Sequence, residues 1–361
     1  MKSKIYQKVI LLLFLPCTIV FSQQHDKWIV VTTIQYPTAA LEKLAKIPDW
    51  HLVVVGDKKT PRDWYLDNCV YLSVEDQEKL PYNIIKYLPW NHYSRKNIGY
   101  LYAIEHGATI IYETDDDNTI IDDSVLYLPE QTKMLQCQSE ASSFNPYAYF
   151  GQPDVWPRGY PLKKSITLIP YELITQLTTI PIQQGLVNND PDVDAIFRLT
   201  HLQEITFDSE QQPISLPAKI MCPFNSQNTV FHYSAFWGLL LPITTSFRVC
   251  DIWRSYWVQR ILWDIDASLC FLPPTAIQYR NDHNLLTDFE DELDLYLKAE
   301  HLITALNLWN SNKEFLEERI KNLMQNLVEQ GFFKEKENLL LNAWFDDLRN
   351  LNYSMPLVSL H

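Results

Sequence analysis

The first part of the chain alternates short apolar runs with a segment of helical spacing. Residues 28–34 and 51–55 are rich in β-branched residues and predict two strands, and residues 38–46 between them predict a helix. A strand, a helix and a second strand at this separation predict a right-handed parallel crossover. Residues 71–73 predict a short third strand. The pattern therefore predicts an α/β fold that begins with a Rossmann-like half.

A further apolar run leads directly into three consecutive aspartates. Residues 94–106 predict an amphipathic helix, and the β-prone run at 108–112 is followed closely by Asp115, Asp116 and Asp117. Adjacent carboxylates repel one another unless a cation neutralises them. A hard divalent ion that is held by one or two carboxylates keeps coordination sites free for substrate phosphates. The run indicates a metal-bridged nucleotide site, and an acidic, solvated turn that closes a strand is the alternative.

Ligands of open α/β sheets bind beyond the carboxyl ends of the strands. At that edge the pattern places Gln35 after the first strand, Asp57 after the second, and the three aspartates after the run just described. No GxGxxG follows the first strand, and no GxxxxGK[ST] occurs in the sequence. A dinucleotide oxidoreductase or a P-loop kinase is therefore poorly supported.

The character of the sequence changes twice further along. Residues 145–250 are rich in proline and aromatic residues, which predicts a mixed sheet with loops that wall a cleft. After about residue 288, apolar residues at helical spacing predict three helices with polar outer faces. We therefore expect a signal peptide or signal anchor at residues 1–26, a sheet domain at residues 27–287 and a C-terminal helical extension at residues 288–361.

The N-terminus has the pattern of a targeting segment. Three lysines precede an apolar run at residues 9–21, which suits a signal peptide and is short for a membrane span of about twenty residues. A signal anchor is the alternative if the run from residue 5 is used. In either case we expect the body of the protein to be carried across the membrane.

Charge and cysteine usage exclude some classes of partner. The net charge of −14 argues against nucleic acid as a partner, although not against a nucleotide bound through a metal. Five cysteines lie outside the targeting segment, and none are spaced as CxxC, so the pattern argues against a zinc site. An odd number leaves at least one thiol unpaired or paired between chains.

An acidic segment in the middle of the chain has two interpretations. Asp190, Asp192 and Asp194 alternate as in a calcium loop, but the sixth and twelfth positions are not Gly and Glu, which rejects an EF-hand. The spacing from Asp194 to Arg198 predicts a helix with an internal salt bridge, capped by Asp190 or Asp192. Helix capping and acceptor binding are equally supported here.

Two further segments carry candidate chemistry. Asp251 is followed by Trp253 and Arg254, so an acid that could act as a base or bind an acceptor hydroxyl lies next to an aromatic platform. The alternative for the tryptophans, Trp253 and Trp257, is burial on an amphipathic helix. His283 follows in a polar loop and is a candidate additional metal ligand.

Together these motifs resemble a known family. The course from the first strand to the triple aspartate resembles the GT-A fold of nucleotide-sugar glycosyltransferases, in which such a triplet is the DxD motif. Residues 145–161 (NPY, GQP and WPRGYP), 190–199 (DPDVDAIFRL) and 251–256 (DIWRSY) resemble the STELLO family of Golgi glycosyltransferases. DPDVDAIFRL is also similar to the reversibly glycosylated polypeptides, which are UDP-arabinopyranose mutases. The resemblance covers roughly residues 28–296, and the helices beyond it show no motif that we recognise.

The resemblance implies a role for each matched position. Donor binding is implied at the strand ends and the helix start, for Thr32, Gln35, Asp57, Arg95, Lys96, Asp115 and Asp116. Acceptor binding is implied within the long motifs, for Trp156, Arg158, Asp192, Asp194, Trp253 and Arg254. Asp251 is implied as the catalytic carboxylate on the acceptor side, and Asp115, Asp117 and His283 are implied as ligands of Mn²⁺ or Mg²⁺.

The function that we expect is transfer of a sugar from a nucleotide diphosphate sugar, with UDP-sugar favoured, to a hydroxyl of a glycan, lipid or protein acceptor. Asp251 would be the base if the anomeric centre inverts and would position the acceptor if it is retained. The alternatives are a non-catalytic GT-A-like partner of a polysaccharide synthase and a nucleotide-sugar mutase. We expect a type II single-pass protein of the Golgi lumen in a eukaryote, or an exported or periplasmic protein in a bacterium.

Overall fold

The computed structural model describes residues 26–165, 169–201, 203–279 and 284–359. The targeting segment predicted at residues 1–26 lies outside the described residues except for Asp26, and His283 lies outside them as well. In the described ranges, no helix combines the length and the apolar character that crossing a membrane requires.

The described strands form one mixed sheet, which confirms the predicted α/β fold. They are β1 Lys27–Thr32, β2 His51–Val55, β3 Cys69–Leu72, β4 Ile110–Thr114, β5 Asn118–Ile120, β6 Gln131–Gln138, β7 Glu172–Asn188, β8 Ile214–Leu216, β9 Asn228–His232 and β10 Ala267–Gln278. Their order across the sheet is β3-β2-β1-β4-β9-β7-β6-β8-β10-β5, and β7 also pairs with β10.

The helices cover both faces of this sheet. They are α1 Ala39–Leu44, α2 Val74–Gln77, α3 Lys96–Glu105, α4 Pro146–Tyr149, α5 Leu162–Ser165, α6 Ala195–Thr200, α7 Cys250–Leu262, α8 Leu285–Asp291, α9 Leu293–Leu308, α10 Leu316–Glu329 and α11 Lys336–Asn350. Short 3₁₀ turns occupy Asn83–Lys86, Tyr93–Arg95, Tyr233–Leu239 and Trp263–Ile265.

The first four strands in chain order form a parallel unit at one end of the sheet, as the pattern predicts. β1 pairs in parallel with β2 and with β4, and β2 pairs in parallel with β3. The helix predicted for residues 38–46 is α1, and the Thr38 side chain accepts the N–H of Leu41 as its cap. The carboxyl ends of β1, β2 and β4 therefore meet at one edge.

Helix α3 packs closely on this parallel unit because it contains a glycine at the contact. A Cβ atom at Gly99 would lie 2.5 Å from Cγ1 of Val30 and 2.9 Å from Cγ2 of Val55. These valines belong to β1 and β2, so only glycine allows the helix to approach the sheet this closely. The contact places the start of α3 near the carboxyl edge of the strands.

The second half of the sheet brings distant segments to the end of β4. β9 runs antiparallel to β4, with Thr114 opposite Asn228, so the residues just before β9 lie beside the aspartate triplet. β5 follows the triplet and pairs with β10, with Asn118 opposite Gln278. β10 continues through Pro273 and Pro274 with shifts of register and ends at Gln278, and most of the polar loop predicted around His283 lies outside the described residues.

The C-terminal helices share a hydrophobic core with the sheet. Trp253 of α7 and Trp344 of α11 belong to one cluster of buried residues, and Trp344 donates its indole N–H to the Trp237 carbonyl at 3.1 Å. The three helices predicted after residue 288 are α9, α10 and α11, and the short α8 was not predicted. The domain boundary at residue 288 stays a prediction.

Candidate functional site

A cleft of about 540 Å³ opens at the carboxyl edge of β1, β2 and β4. The predicted site residues that line it are Thr32, Gln35, Asp57, Arg95, Asp115, Asp116, Asp117, Arg158, Asp192 and Asp251. The predicted residues that are buried without lining it are Lys96, Trp156, Asp194, Trp253 and Arg254. Residues implied for the donor and for the acceptor thus face each other across one space.

Asp115 is held by a buried cation. Its Oδ1 accepts hydrogen bonds from the Lys96 ammonium at 3.0 Å and from the Tyr93 hydroxyl at 2.6 Å. Lys96 is completely buried and also donates to the Thr114 carbonyl at 2.7 Å. The expectation that Lys96 faces the donor diphosphate is therefore wrong in this structure, because its buried ammonium group is paired with Asp115.

The other two carboxylates of the triplet take different partners. Asp116 Oδ2 accepts from the Thr33 hydroxyl at 2.5 Å, and Asp117 Oδ2 accepts from the Gln278 amide at 2.9 Å. Burial raises the pKa of Asp116, and burial followed by the charge of Asp115 raises the pKa of Asp117 to about 7. Burial and the neighbouring negative charge both disfavour the ionised forms of Asp116 and Asp117, and a bound cation would offset both effects.

The donor set fits a divalent cation that is completed by the substrate. Within the described residues, no three His, Cys, Asp or Glu side chains converge as a ready-made metal site. A hard cation here would take carboxylate oxygens from Asp115 and Asp117, which are alternate residues on the turn that lines the cleft. Water and donor phosphates would supply its other ligands, and His283 cannot be placed because it lies outside the described residues.

Asp57 fixes a loop at the wall of the cleft. Its carboxylate accepts the backbone N–H groups of Asn91 and His92 at 2.8 and 3.2 Å. These bonds hold the loop before α3 against the end of β2, next to the residues that follow β1. The predicted contact of Asp57 with a base or ribose stays a prediction, and a role in fixing this loop is added to it.

Arg95 is committed to protein groups. Its guanidinium stacks on the Trp90 ring at 3.7 Å and donates to Gln77 Oε1 from Nε at 3.0 Å and from Nη2 at 2.5 Å. Burial lowers the pKa of Arg95 to about 10. Although it lies at the cleft wall, Arg95 is not presented to a diphosphate as the resemblance implied.

Arg158 joins two acidic residues on the opposite side. Its Nε and Nη2 bind the two carboxylate oxygens of Asp192 at 2.7 and 2.8 Å, and Nη2 lies 3.1 Å from Oδ2 of Asp251. Burial alone would raise the pKa of Asp192, but the charge and hydrogen bonds of Arg158 lower it overall. Arg158 therefore orients Asp192 and Asp251 at the cleft.

Trp156 and Asp194 serve the local structure instead of an acceptor. The Trp156 indole donates to Asp194 Oδ2 at 2.6 Å, and Asp194 Oδ1 accepts the Phe197 N–H at 2.8 Å as the N-cap of α6. Burial raises the pKa of Asp194 to about 6. The cap predicted at Asp190 or Asp192 is wrong by position, and Arg198 pairs with Asp190 and not with Asp194.

Trp253 and Arg254 are likewise corrected by burial. Both side chains are completely buried in the core around α7, so neither can contact an acceptor in this structure. Arg254 forms an ion pair with Glu113. The alternative interpretation, that the tryptophans are buried on a helix, is confirmed.

Sequence reasoning missed several residues of the cleft. Tyr93, Gln278, Phe247 and Arg248 line it, and Ser226 contacts Asp251 and Tyr93. Ser226 lies in a polar stretch directly before β9, and Gln278 lies at the end of β10. The pairing of β9 with β4 and of β10 with β5 is what brings them to the triplet, and neither pairing has a local sequence signal.

Comparison with known proteins shows which family this chain is similar to. A model of the family described as STELLO glycosyltransferases matches residues 248–360. A protein of Arabidopsis thaliana named probable glycosyltransferase STELLO1 is 38% identical over 357 residues, covering 93% of this chain and 46% of that protein. Probable glycosyltransferase STELLO2 of the same plant is 38% identical over 359 residues, covering 94% of this chain and 47% of that protein. The chain belongs to the STELLO family.

The similarity to the STELLO relatives extends beyond the residues that carry recognisable motifs. The chain spans about half the length of the curated STELLO relatives it matches. The STELLO family model begins just before Asp251 and continues through α8 to α11. The helices after residue 297, which show no recognisable motif, are therefore part of the sequence that defines the family.

Proposed function

We propose that this chain is a metal-dependent glycosyltransferase that moves a sugar from a nucleotide diphosphate sugar, with UDP-sugar favoured, to an acceptor hydroxyl. The observation that carries the proposal is the cleft at the carboxyl edge. It places Asp115 and Asp117 at the end of β4, opposite the Asp251 carboxylate held by Arg158. Family membership supports the reaction class. The geometry supports the assignment of one side of the cleft to the donor and of the opposite side to the acceptor.

The donor half of the site is formed by the ends of β1, β2 and β4. The nucleoside would lie against residues 32–35 and the loop that Asp57 fixes. Asp115 and Asp117 would hold Mn²⁺ or Mg²⁺, which supplies a Lewis acid for the departing nucleotide when it is bound. Lys59 is exposed at the cleft, near Asp57, and is a cation available to the donor phosphates.

The acceptor half is formed by Arg158, Asp192 and Asp251. Asp251 would accept a hydrogen bond from the acceptor hydroxyl, and Arg158 fixes the direction of its carboxylate. In an inverting reaction Asp251 would take the proton of that hydroxyl, and in a retaining reaction it would orient the hydroxyl. The half-exposed ring of Phe247 lies on the same cleft and offers an apolar face to a sugar ring.

The experiment that tests the proposal is calorimetric titration of the purified protein with UDP and with GDP, with and without Mn²⁺. We expect one nucleotide to bind in a Mn²⁺-dependent manner, and we expect the Asp115→Ala/Asp117→Ala variant to lose that binding. Asp122→Ala, an exposed acid close to the triplet, is the matched control and should bind like the wild type. A folded wild-type protein that binds neither nucleotide would contradict the proposal.

The wider assignment concerns acceptor, partners and compartment. We propose a glycan, lipid or protein acceptor, a site in the lumen of the secretory pathway or in an exported compartment, and membrane contact only through the N-terminal segment. Supplying the donor alone and searching for ring isomers of its sugar tests the mutase alternative. Retention of cellular function by the Asp115→Ala/Asp117→Ala variant would favour the non-catalytic partner of a polysaccharide synthase.

A further inference from the structure

The Tyr93 hydroxyl lies between the two acidic groups of the cleft. It donates to Asp115 Oδ1 at 2.6 Å and accepts from Ser226 Oγ at 2.6 Å. The backbone N–H of Ser226 lies 3.2 Å from Asp251 Oδ2, and its hydroxyl lies 3.3 Å from the same atom. The single hydroxyl proton of Ser226 goes to Tyr93, so the link from Ser226 to Asp251 is its backbone N–H. A path of hydrogen bonds therefore runs from Asp115 through the hydroxyls of Tyr93 and Ser226, and the backbone of Ser226 continues it to Asp251.

The direction of the path at Tyr93 follows from its neighbours. The Lys96 ammonium donates to the Tyr93 oxygen at 2.7 Å and lies 3.3 Å from the Ser226 carbonyl. An ammonium has no acceptor, and Ser226 Oγ also donates to Tyr93, so the single phenolic proton is directed to Asp115. Lys96, on the buried side of the path, thus fixes which groups donate and which accept along it.

The path is built on rigid elements. Tyr93 lies in the 3₁₀ turn that leads into α3, and Ser226 lies two residues before β9. Ser226 and Lys96 are buried, and the Phe247 ring packs edge-to-face on Tyr93 with ring centroids 5.5 Å apart. Side chains held in this way keep one geometry, which a positioning role requires.

We propose that Tyr93 and Ser226 are positioning residues that couple the donor-side carboxylate Asp115 to the acceptor-side carboxylate Asp251. The inference rests on the proposed function and adds to it two residues outside the matched motifs. Through this path, the orientation of Asp115 for a cation and its nucleotide depends on a serine that has no contact with Asp115. The transfer site is therefore one hydrogen-bonded unit and not two independent halves.

The test is a double-mutant cycle in the full chain. Tyr93→Phe, Ser226→Ala and the double variant are titrated with UDP or GDP, whichever the wild type binds, with and without Mn²⁺. Tyr149→Phe is the matched control, because its hydroxyl donates to the Gln212 carbonyl at 3.1 Å away from the cleft. Thermal unfolding of each variant confirms that it is folded.

We expect each single variant to reduce the Mn²⁺-dependent gain in nucleotide affinity by about fivefold, the effect of one lost hydrogen bond. Affinity without Mn²⁺ should stay the same, and the double variant should lose no more than either single variant because both break one path. A general loss of packing would lower the affinity for the nucleotide both with and without the metal. Losses that multiply in the double variant would overturn the coupling, and so would single variants that bind like Tyr149→Phe. Either of these two results would leave the proposed function in place. A wild-type protein that binds neither nucleotide would overturn the proposed function together with the coupling.

Discussion

Glu113 and Arg254 form a bidentate ion pair that is completely buried. Arg254 Nη2 lies 2.5 Å from Glu113 Oε1, and Nη1 lies 2.9 Å from Oε2. Glu113 precedes Asp115 by two residues on β4, and Arg254 follows Asp251 by nearly one turn on α7. The pair therefore ties the strand that leads to Asp115 and Asp117 to the helix that carries Asp251.

Glu113→Gln should destabilise the protein by about 3–5 kcal/mol, because it leaves the Arg254 charge buried without a counter-ion. Replacing both partners, as in Glu113→Leu/Arg254→Met, should recover part of this loss since no buried charge remains. Unfolding in urea at neutral pH measures both changes. Lys298→Ala, which breaks a partly exposed pair with Asp294, is the control and should cost about 1 kcal/mol or less. A loss for Glu113→Gln as small as that of the control would contradict the role given to the pair.

Lys96→Met should strengthen the binding of Mn²⁺. The substitution removes the buried ammonium that lies 3.0 Å from Asp115, so the triplet is left with more uncompensated negative charge. We expect the Mn²⁺ affinity of the folded variant to rise about tenfold, which is modest for the loss of a neighbouring charge. Calorimetric titration with MnCl₂ measures it.

Lys43→Met is the matched control for this substitution. Lys43 lies 3.6 Å from the exposed Asp123, outside the triplet, and its loss should leave the affinity for Mn²⁺ unchanged. If Lys96→Met binds Mn²⁺ no better than Lys43→Met, the cation is not held by the carboxylate that Lys96 neutralises.

The parallel half of the fold could be predicted because its signals are local. The apolar run at 51–55 is β2 with the same bounds, and Thr38 before an amphipathic segment is the cap of α1. The strand that leads to Asp115 could be found in the same way, since an apolar run and an acidic turn are both visible in the sequence. These features depend on residues that are close together along the chain.

The acceptor half could not be assigned residue by residue for the opposite reason. The motif that contains Arg158 also contains Trp156, but Arg158 reaches the cleft while Trp156 turns inward to Asp194. Asp251 and Arg254 differ in the same way: they are three residues apart and therefore neighbours on one buried helix, yet Asp251 lines the cleft while Arg254 pairs with Glu113 in the core. Which member of a motif reaches the solvent is set by packing between distant segments, and the sequence pattern alone carries no signal for it.

Glu337→Gln should flatten the pH dependence of stability between pH 4.5 and about pH 7, the ordinary and the raised pKa of this carboxyl. Burial raises the pKa of Glu337 to about 7, although its carboxylate accepts the backbone N–H groups of Ile243 and Thr244. The folded protein therefore keeps a proton that the unfolded chain has released, so this contribution to stability is present at low pH. It is lost as the pH rises through 7, and the loss is about 3 kcal/mol over the full shift.

Urea unfolding of the wild type and of Glu337→Gln at several pH values measures this contribution. Asp117, whose pKa is also raised, is present in both proteins, so the difference between their slopes isolates Glu337. Glu335→Gln changes an exposed neighbour and should keep the slope of the wild type. Equal slopes for the wild type and Glu337→Gln would show that Glu337 is already ionised in the folded protein.

Arg158→Lys should impair the transfer step more than donor binding. In Arg158, Nε and Nη2 of the planar guanidinium each bind one oxygen of Asp192, and Nη2 also reaches Asp251. Lysine keeps the positive charge but has no such planar group. With Asp251 free to rotate, we expect kcat for release of UDP from a UDP-sugar to fall by about tenfold to a hundredfold, the scale of a misplaced catalytic group. The KM for the donor should change by less than about threefold, because the donor lies on the other side of the cleft.

Arg62→Lys, at an exposed position, controls for the substitution itself and should retain both constants. A rise in KM with an unchanged kcat would place Arg158 on the donor side and reverse the assignment of the two halves.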